Sequence, residues 1–85
     1  MPKTVFSGAH THLVELLVAA RRKAGLTQTD LAERIGKDQK FISLIERGQR
    51  RVDVLEFYVL AKALGQEPGK LYGELIRKFP ERLDI

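Results

Sequence analysis

The stretch that most restricts what this chain can fold into is "LTQTDLAERIGKDQKFISLIERG", Leu26 to Gly48. It holds two short apolar stripes separated by Gly36, Lys37 and Asp38. Ala32 stands where a larger side chain would hold a crossing helix away. Gly36 stands where the chain must reverse within a few residues, and a positive φ costs glycine no steric clash. Leu31 and Ile35 on one side, and Ile42 and Ile45 on the other, then lock two short helices together. The pattern predicts helix against helix across a tight turn.

The remaining punctuation follows the same logic, and 3.6-residue periodicity predicts five helices. The first runs from about Thr11 to Lys23, with Leu13, Leu16, Leu17 and Ala20 on one stripe and Gly25 as its left-handed stop. Arg21, Arg22 and Lys23 in its last turn suit the negative end of the helix dipole. The second opens at "TQTD", where Thr27 can cap and Asp30 completes a capping box, and it stops at Gly36. The third takes Asp38 as N-cap and continues to about Arg47, before Gly48. The fourth opens at "DVLE" with Asp53 and Glu56 as a box, and it ends at Gly65. Its expected core stripe is Val54, Phe57, Tyr58, Leu60, Ala61 and Leu64. The fifth runs from Pro68, a good first helical residue, to about Lys78, although Gly69 and Gly73 each weaken it by about 1 kcal/mol relative to Ala. Pro80 ends it. The expected division is an N-terminal arm over 1–10, a helical domain over 11–79 and a tail over 80–85.

Eighty-five residues make one domain's worth of chain, and with no cysteine neither disulfides nor thiolate metal sites can staple it. The longest apolar run, Leu16 to Ala20, is far short of a membrane span, and the start "MPKTVFSGAHTH" has no apolar segment of the signal-peptide kind. A soluble cytoplasmic protein is the expectation. "HTH" at His10 to His12 invites a metal reading, but side chains two apart diverge on a helix and no acidic pair completes a site. No Ser/His/Asp or Cys/His set and no glycine-rich phosphate loop with its Lys occurs, so the expectation is a protein that is not an enzyme and needs no cofactor.

Net charge is +4, and its distribution says more than its total. One basic cluster is Arg21 to Lys23. A second is Lys37, Lys40, Arg47, Arg50 and Arg51, opposed in its segment only by Asp38 and Glu46. An acidic partner is favoured. Two short helices about a glycine turn, beside that cluster, make the pattern of a helix-turn-helix, whose second helix lies in the DNA major groove.

With "GLTQ", "LAERIG", "FISLIERG" and "LAKALG" at matching intervals without a gap, Arg21 to Gly65 resembles the phage repressor and Cro type of helix-turn-helix domain, the XRE family. The variant "ERGQRRVDVLEF" and the helix after "LAKALG" are similar to small prophage regulators and to restriction–modification controller proteins. The resemblance implies an all-α, compact five-helix bundle of the lambda-repressor-like kind, with helices two and three as the helix-turn-helix. It further implies binding to double-stranded operator DNA, usually as a homodimer.

Opposite Ile42 and Ile45, the third helix carries Asp38, Gln39, Lys40, Ser43, Leu44 and Arg47. Gln39 can pair with adenine N6 and N7, Lys40 with guanine or a phosphate, and Ser43 reads weakly. The resemblance implies base contacts at Gln39, Lys40, Ser43 and Leu44. Leu44 has two readings: contact with a thymine methyl, or packing on Phe41 one turn back. Gln28 begins the second helix, where free N–H groups attract anions, and Lys37, Arg47, Arg50 and Arg51 flank the groove. About five such phosphate contacts per subunit would make log K fall by about 0.9 per phosphate neutralised. The blander alternative for each is a solvated surface residue. Glu46 would repel phosphate, and the resemblance implies a structural ion pair with Arg21.

Leu55 and Val59, with Tyr72, Ile76 and Phe79, leave more apolar surface than so small a domain can hide, which marks an interface. The expectation is a dimeric transcriptional regulator, repressing by occupying a palindromic operator, with no small-molecule ligand. The alternative is an antitoxin or another protein-binding member of the same fold.

Overall fold

In the computed structural model, which describes residues 8–83, the order is α1 (Gly8–Lys23), α2 (Gln28–Arg34), α3 (Gln39–Glu46), α4 (Val54–Ala63) and α5 (Pro68–Ile76). Regular structure among the described residues is entirely helical, so the all-α five-helix expectation holds. The helix starts were written locally. Thr27 Oγ1 accepts the Asp30 N–H while Asp30 accepts the Thr27 N–H, and Asp53 and Glu56 make the same reciprocal box. Asp38 caps α3 by accepting the Phe41 N–H at 3.0 Å. Each arrangement satisfies amide donors that the first helical turn cannot pair internally.

The turn between α2 and α3 is tight because Gly36 takes φ +72°. That angle brings the Lys37 N–H to the Ala32 carbonyl at 2.9 Å and the Gly36 N–H to Glu33 at 3.2 Å, the two bonds of a Schellman stop. The same pair of bonds closes α1, α3 and α4 at Gly25, Gly48 and Gly65. After α5 the turns tighten instead: Lys78 N–H bonds Leu75 and Phe79 N–H bonds Ile76, both three residues back. Winding therefore reaches Phe79, although the α-helix ends at Ile76 rather than near Lys78.

One core joins the helices. Leu17 and Ala20 of α1, Leu31 and Ala32 of α2, Ile42 and Ile45 of α3, and Phe57, Leu60 and Ala61 of α4 are all buried in it, with Leu64 and Leu71 completing the cluster. α2 packs most extensively on α3; α1 lies on α3 and α5, and α4 on α2 and α5. Ala32, 1% exposed, sits where α2 meets its neighbours. Arg34 Nη1 reaches the Ala63 carbonyl at 3.0 Å, tying the end of α2 to the end of α4.

Several expectations need correction. α1 begins at Gly8, three residues before Thr11, so 8–10 belong to a helix rather than an arm; residues 1–7 of the expected arm, and Asp84 and Ile85 of the expected tail, lie outside the described residues. Val54 and Tyr58 are not core: they are 80% and 55% exposed. Phe57, Leu60, Ala61 and Leu64 already form a complete stripe at i, i+3, i+4 and i+7, and Tyr58 is turned about 100° from it. Val54 opens the helix, where no neighbouring element covers it.

The two glycines expected to weaken α5 also have a partial account. Glu67 caps the helix, accepting the Gly69 N–H at 3.0 Å and the Lys70 N–H at 2.7 Å. A Cβ on Gly69 would lie 3.3 Å from Glu67 Oε2, a tight approach that the capping carboxylate would have to shift slightly to admit.

Two predictions follow from these local devices. Gly36→Ala meets no neighbour at its new Cβ, so its cost is that of the left-handed backbone, about 1 kcal/mol in urea unfolding. Asp30, Glu56 and Glu67 all have their pKa held below the ordinary carboxylate value: Asp30 and Glu67 chiefly by the backbone N–H groups they accept, Glu56 chiefly by Arg50 and then by the Asp53 N–H. A depressed folded-state pKa stabilises above the unfolded pKa and is lost as pH falls through the folded value. Stability should therefore drop on acidification below about pH 4.5, the ordinary glutamate value. Asp30→Asn, Glu56→Gln and Glu67→Gln combined should flatten that acid limb in a thermal-melt series.

Candidate nucleic-acid interface

α3 has one dry face and one wet face. Ile42 and Ile45 are each 2% exposed, while Gln39, Lys40 and Arg47 are exposed and Ser43 and Leu44 lie between the two states. The four expected base-reading positions thus share one side of one helix, with Gln39 and Lys40 at its N-terminal end. That end of a recognition helix reaches furthest into a groove.

A line of polar contacts runs beneath this face. Arg21, from the last turn of α1, donates from Nε to Glu46 Oε2 at 2.7 Å and from Nη2 to Oε1 at 2.9 Å. The remaining Nη1 donates to the Leu26 carbonyl at 2.8 Å. Glu46 Oε1 also accepts from Gln28 Nε2 at 2.8 Å, and Gln28 Oε1 in turn accepts from Gln39 Nε2 at 2.6 Å. The Arg21 and Glu46 side chains are only 11% and 10% exposed, and the hydrogen bonds from Arg21 to Glu46 push the guanidinium pKa up. The implied Arg21–Glu46 pair is present, and a bidentate, largely dry pair has geometry that a surface pair lacks. Gln28, expected at a phosphate, spends its side chain bridging Glu46 and Gln39. It stands at the start of α2, where Thr27 already takes the Asp30 and Leu31 N–H groups.

The flanking cations divide into two groups. Lys37, Arg47 and Arg51 are exposed around α3. Arg50 is placed differently: Nη1 donates to Glu56 Oε1 at 2.9 Å and to the Arg51 carbonyl at 2.7 Å, and Nη2 donates to Glu56 Oε2 at 2.8 Å. Its guanidinium carbon lies 4.5 Å from the centroid of Phe41, and Lys37 Nζ lies 5.4 Å from the same ring. Sequence reasoning recognised Glu56 as a cap but missed it as the partner of Arg50. A six-residue separation across a loop has no periodic signature. Phe41 packs against the core as well as carrying these cations, whereas Leu44, partly exposed, lies on the wet side.

Of the expected interface residues, Leu55 (74% exposed), Val59, Tyr72 and Ile76 are on the surface; Phe79 is half-buried. The Tyr72 ring meets Phe57 edge-on, with centroids 6.1 Å apart. An apolar groove of about 450 Å³ lies between α4 and α5, with Val54, Phe57, Tyr58, Tyr72 and Leu75 among its lining residues. Among the described residues, no group of three or more His, Asp or Glu is placed to hold a metal, and no helix is long and apolar enough to cross a membrane.

Removing one partner of a nearly dry ion pair strands the other. Glu46→Ala should destabilise the fold by about 3 kcal/mol in urea unfolding, and the double variant Arg21→Met/Glu46→Met by less than the sum of the two single substitutions.

Comparison with known proteins agrees with this geometry. A family described as Helix-turn-helix matches residues 17–71. An uncharacterized HTH-type transcriptional regulator of Sinorhizobium fredii is 47% identical over 45 residues, covering 53% of this chain and 58% of that protein. Among solved structures, an XRE-family like protein from Pseudomonas syringae pv. tomato superposes with a TM-score of 0.79 at 39% identity, covering 85% of this chain and 88% of that one. The restriction-modification controller protein C.AhdI from Aeromonas hydrophila superposes with a TM-score of 0.70 at 34% identity, covering 76% of this chain and 98% of that one. The chain belongs to the helix-turn-helix family of the XRE type.

Proposed function

We propose that this protein is a transcriptional regulator that binds a palindromic operator in double-stranded DNA as a homodimer and represses by occupying it. The observation that carries the reading is the exposed Gln39–Lys40 head of α3, with the Gln39 amide held by Gln28 at 2.6 Å while the opposite face of the helix is buried. A side chain held in place before binding loses less entropy on meeting a base edge. Gln39 has the donor and acceptor that adenine N6 and N7 require, Lys40 suits guanine O6/N7, Ser43 adds a weaker contact, and Leu44 offers an apolar surface to a thymine methyl. Lys37, Arg47 and Arg51, with the N–H groups opening α2 at Gln28, supply the phosphate contacts. The relatives named above as a transcriptional regulator and as a controller protein support the regulatory role.

Dimerisation is supported by the apolar surface of α4 and α5. Leu55, Val59, Tyr72 and Ile76 are exposed together with Val54 and Tyr58, more than scattered surface residues account for. A two-fold pairing through these helices, with Phe79 at the margin, would set two α3 helices about 34 Å apart, one turn of the duplex.

Selection from random-sequence duplexes followed by gel shift should recover a two-fold symmetric site. Three cations per subunit should give log K against log salt a slope of about −2.7 for each subunit. Gln39→Ala should cost about 1–3 kcal/mol at one base pair of each half-site and little on non-specific DNA. Leu44→Ala should weaken preference only at a thymine. If no DNA outcompetes bulk competitor at moderate salt, the regulator reading fails and a protein-binding role takes its place. Sedimentation at micromolar concentration should give twice the 9.6 kDa chain mass, and Ile76→Glu should give the single-chain mass with the fold intact.

A further inference from the structure

We propose that Arg50 is a positioning residue: clamped by Glu56 and stacked on Phe41, it fixes the tilt of α3 against the start of α4 and makes no phosphate contact. The proposal rests on α3 being the recognition helix. The contacts come from three separate segments. Arg50 lies in the loop after α3, Phe41 within α3, and Glu56 in the first turn of α4. The guanidinium plane meets the carboxylate through two parallel bonds, 2.9 and 2.8 Å long, while its carbon stands 4.5 Å from the ring centroid. Only arginine can do both at once, because its flat fork offers edges for a carboxylate and faces for an aromatic ring.

Glu56 is itself fixed. Its Oε1 also accepts the Asp53 N–H at 3.0 Å, as part of the box that starts α4. Its pKa is held down chiefly by Arg50, so the carboxylate stays charged at neutral pH. Arg50 therefore cannot swing out to a phosphate without breaking a bidentate pair and leaving a carboxylate near the polyanion. Its charge is neutralised before DNA arrives, so it has little to contribute to counterion release. Phe41 sits one residue before the buried Ile42 and packs against the core. A force on that ring is thus transmitted to the whole of α3, whose Gln39 and Lys40 lie within one turn.

The test compares Arg50→Gln, Arg50→Lys and Glu56→Gln with the parent on two probes: a mixed-sequence duplex and the duplex recovered by selection. Amide proton–nitrogen spectra of the free proteins are recorded beside them. Clamping predicts that Arg50→Gln keeps the parent's salt slope on the mixed-sequence duplex. It predicts that Arg50→Lys and Arg50→Gln both lose roughly tenfold in preference for the selected site, the order of loss expected for breaking a coupled pair. It also predicts amide shifts reaching Gln39 through Ser43 in all three variants. A phosphate contact predicts the reverse: the slope falls by about 0.9 per subunit in Arg50→Gln, Arg50→Lys restores binding, and amide shifts stay within the loop. Those results would overturn the proposal. If Arg50→Gln fails to fold, Arg50→Lys and Glu56→Gln decide it, since the first keeps the cation and a glutamine oxygen can still cap Asp53. If the parent selects no sequence, the regulator reading fails on that result alone, and the amide shifts still settle whether Arg50 positions α3.

Discussion

The Arg21–Glu46 pair is the interaction on which the placement of α3 depends. Glu46 ends α3, where a bare carboxylate would repel DNA. Arg21 covers both of its oxygens from the last turn of α1, and Gln28 adds a third hydrogen bond from the start of α2. The third arm of the guanidinium holds the Leu26 carbonyl in the turn between α1 and α2. The two side chains together thus tie three helices and a turn. Its worth is more in specificity than in raw stability. A pair this dry repays its desolvation only when the geometry is good and the remaining lone pairs are satisfied. Here Glu46 is satisfied by groups that belong to the fold, and Oε1, which accepts from Arg21, also accepts from Gln28, which in turn accepts from Gln39.

Much of the architecture was legible because its instructions are local. A Thr, Asp or Asp–Glu box acts over three residues, and a glycine stop over six, so Thr27, Asp38, Asp53 and Gly36 could be placed from sequence alone. What the sequence does not show depends on distance or on crowding. α4 reads "VLEFYVLAKA", apolar on nearly every side, so periodicity had no polar face by which to orient it. Val54 and Tyr58 were put inside although neighbouring helices cover only the Phe57–Leu64 stripe. Arg50 reads in sequence as a flanking cation, and its partners, Phe41 nine residues back and Glu56 six residues on, meet it only after the loop closes. The contacts of Gln28 with Glu46 and Gln39 have no sequence signal at all.

The basic surplus is therefore less uniform than a net charge of +4 suggests. Arg21 and Arg50 spend their charge on carboxylates and serve the shape of the domain. Lys37, Arg47 and Arg51 are exposed around α3, Lys37 with its Nζ 5.4 Å from the Phe41 centroid. Counting every arginine near a recognition helix as a phosphate contact would overstate electrostatic binding and understate how firmly the helix is held. The distinction matters physically: an unpaired surface cation acts on a polyanion through salt-dependent attraction, whereas a paired one acts through the position it gives its partners.

α4 is where these two kinds of order meet. Its first turn carries Glu56, bonded to Arg50 and through it stacked on α3. The adjacent Leu55, and Val59 one turn on, are exposed beside a smaller groove shared with Lys37 and Phe41. If two chains pair through α4 and α5, the helix that sets the distance between subunits is also the helix that sets the tilt of α3 within each. Half-site spacing and groove insertion would then share one rigid lever with Glu56 near its fulcrum. A substitution there would change how well two recognition helices fit one operator without touching a base, a phosphate or the dimer contact itself.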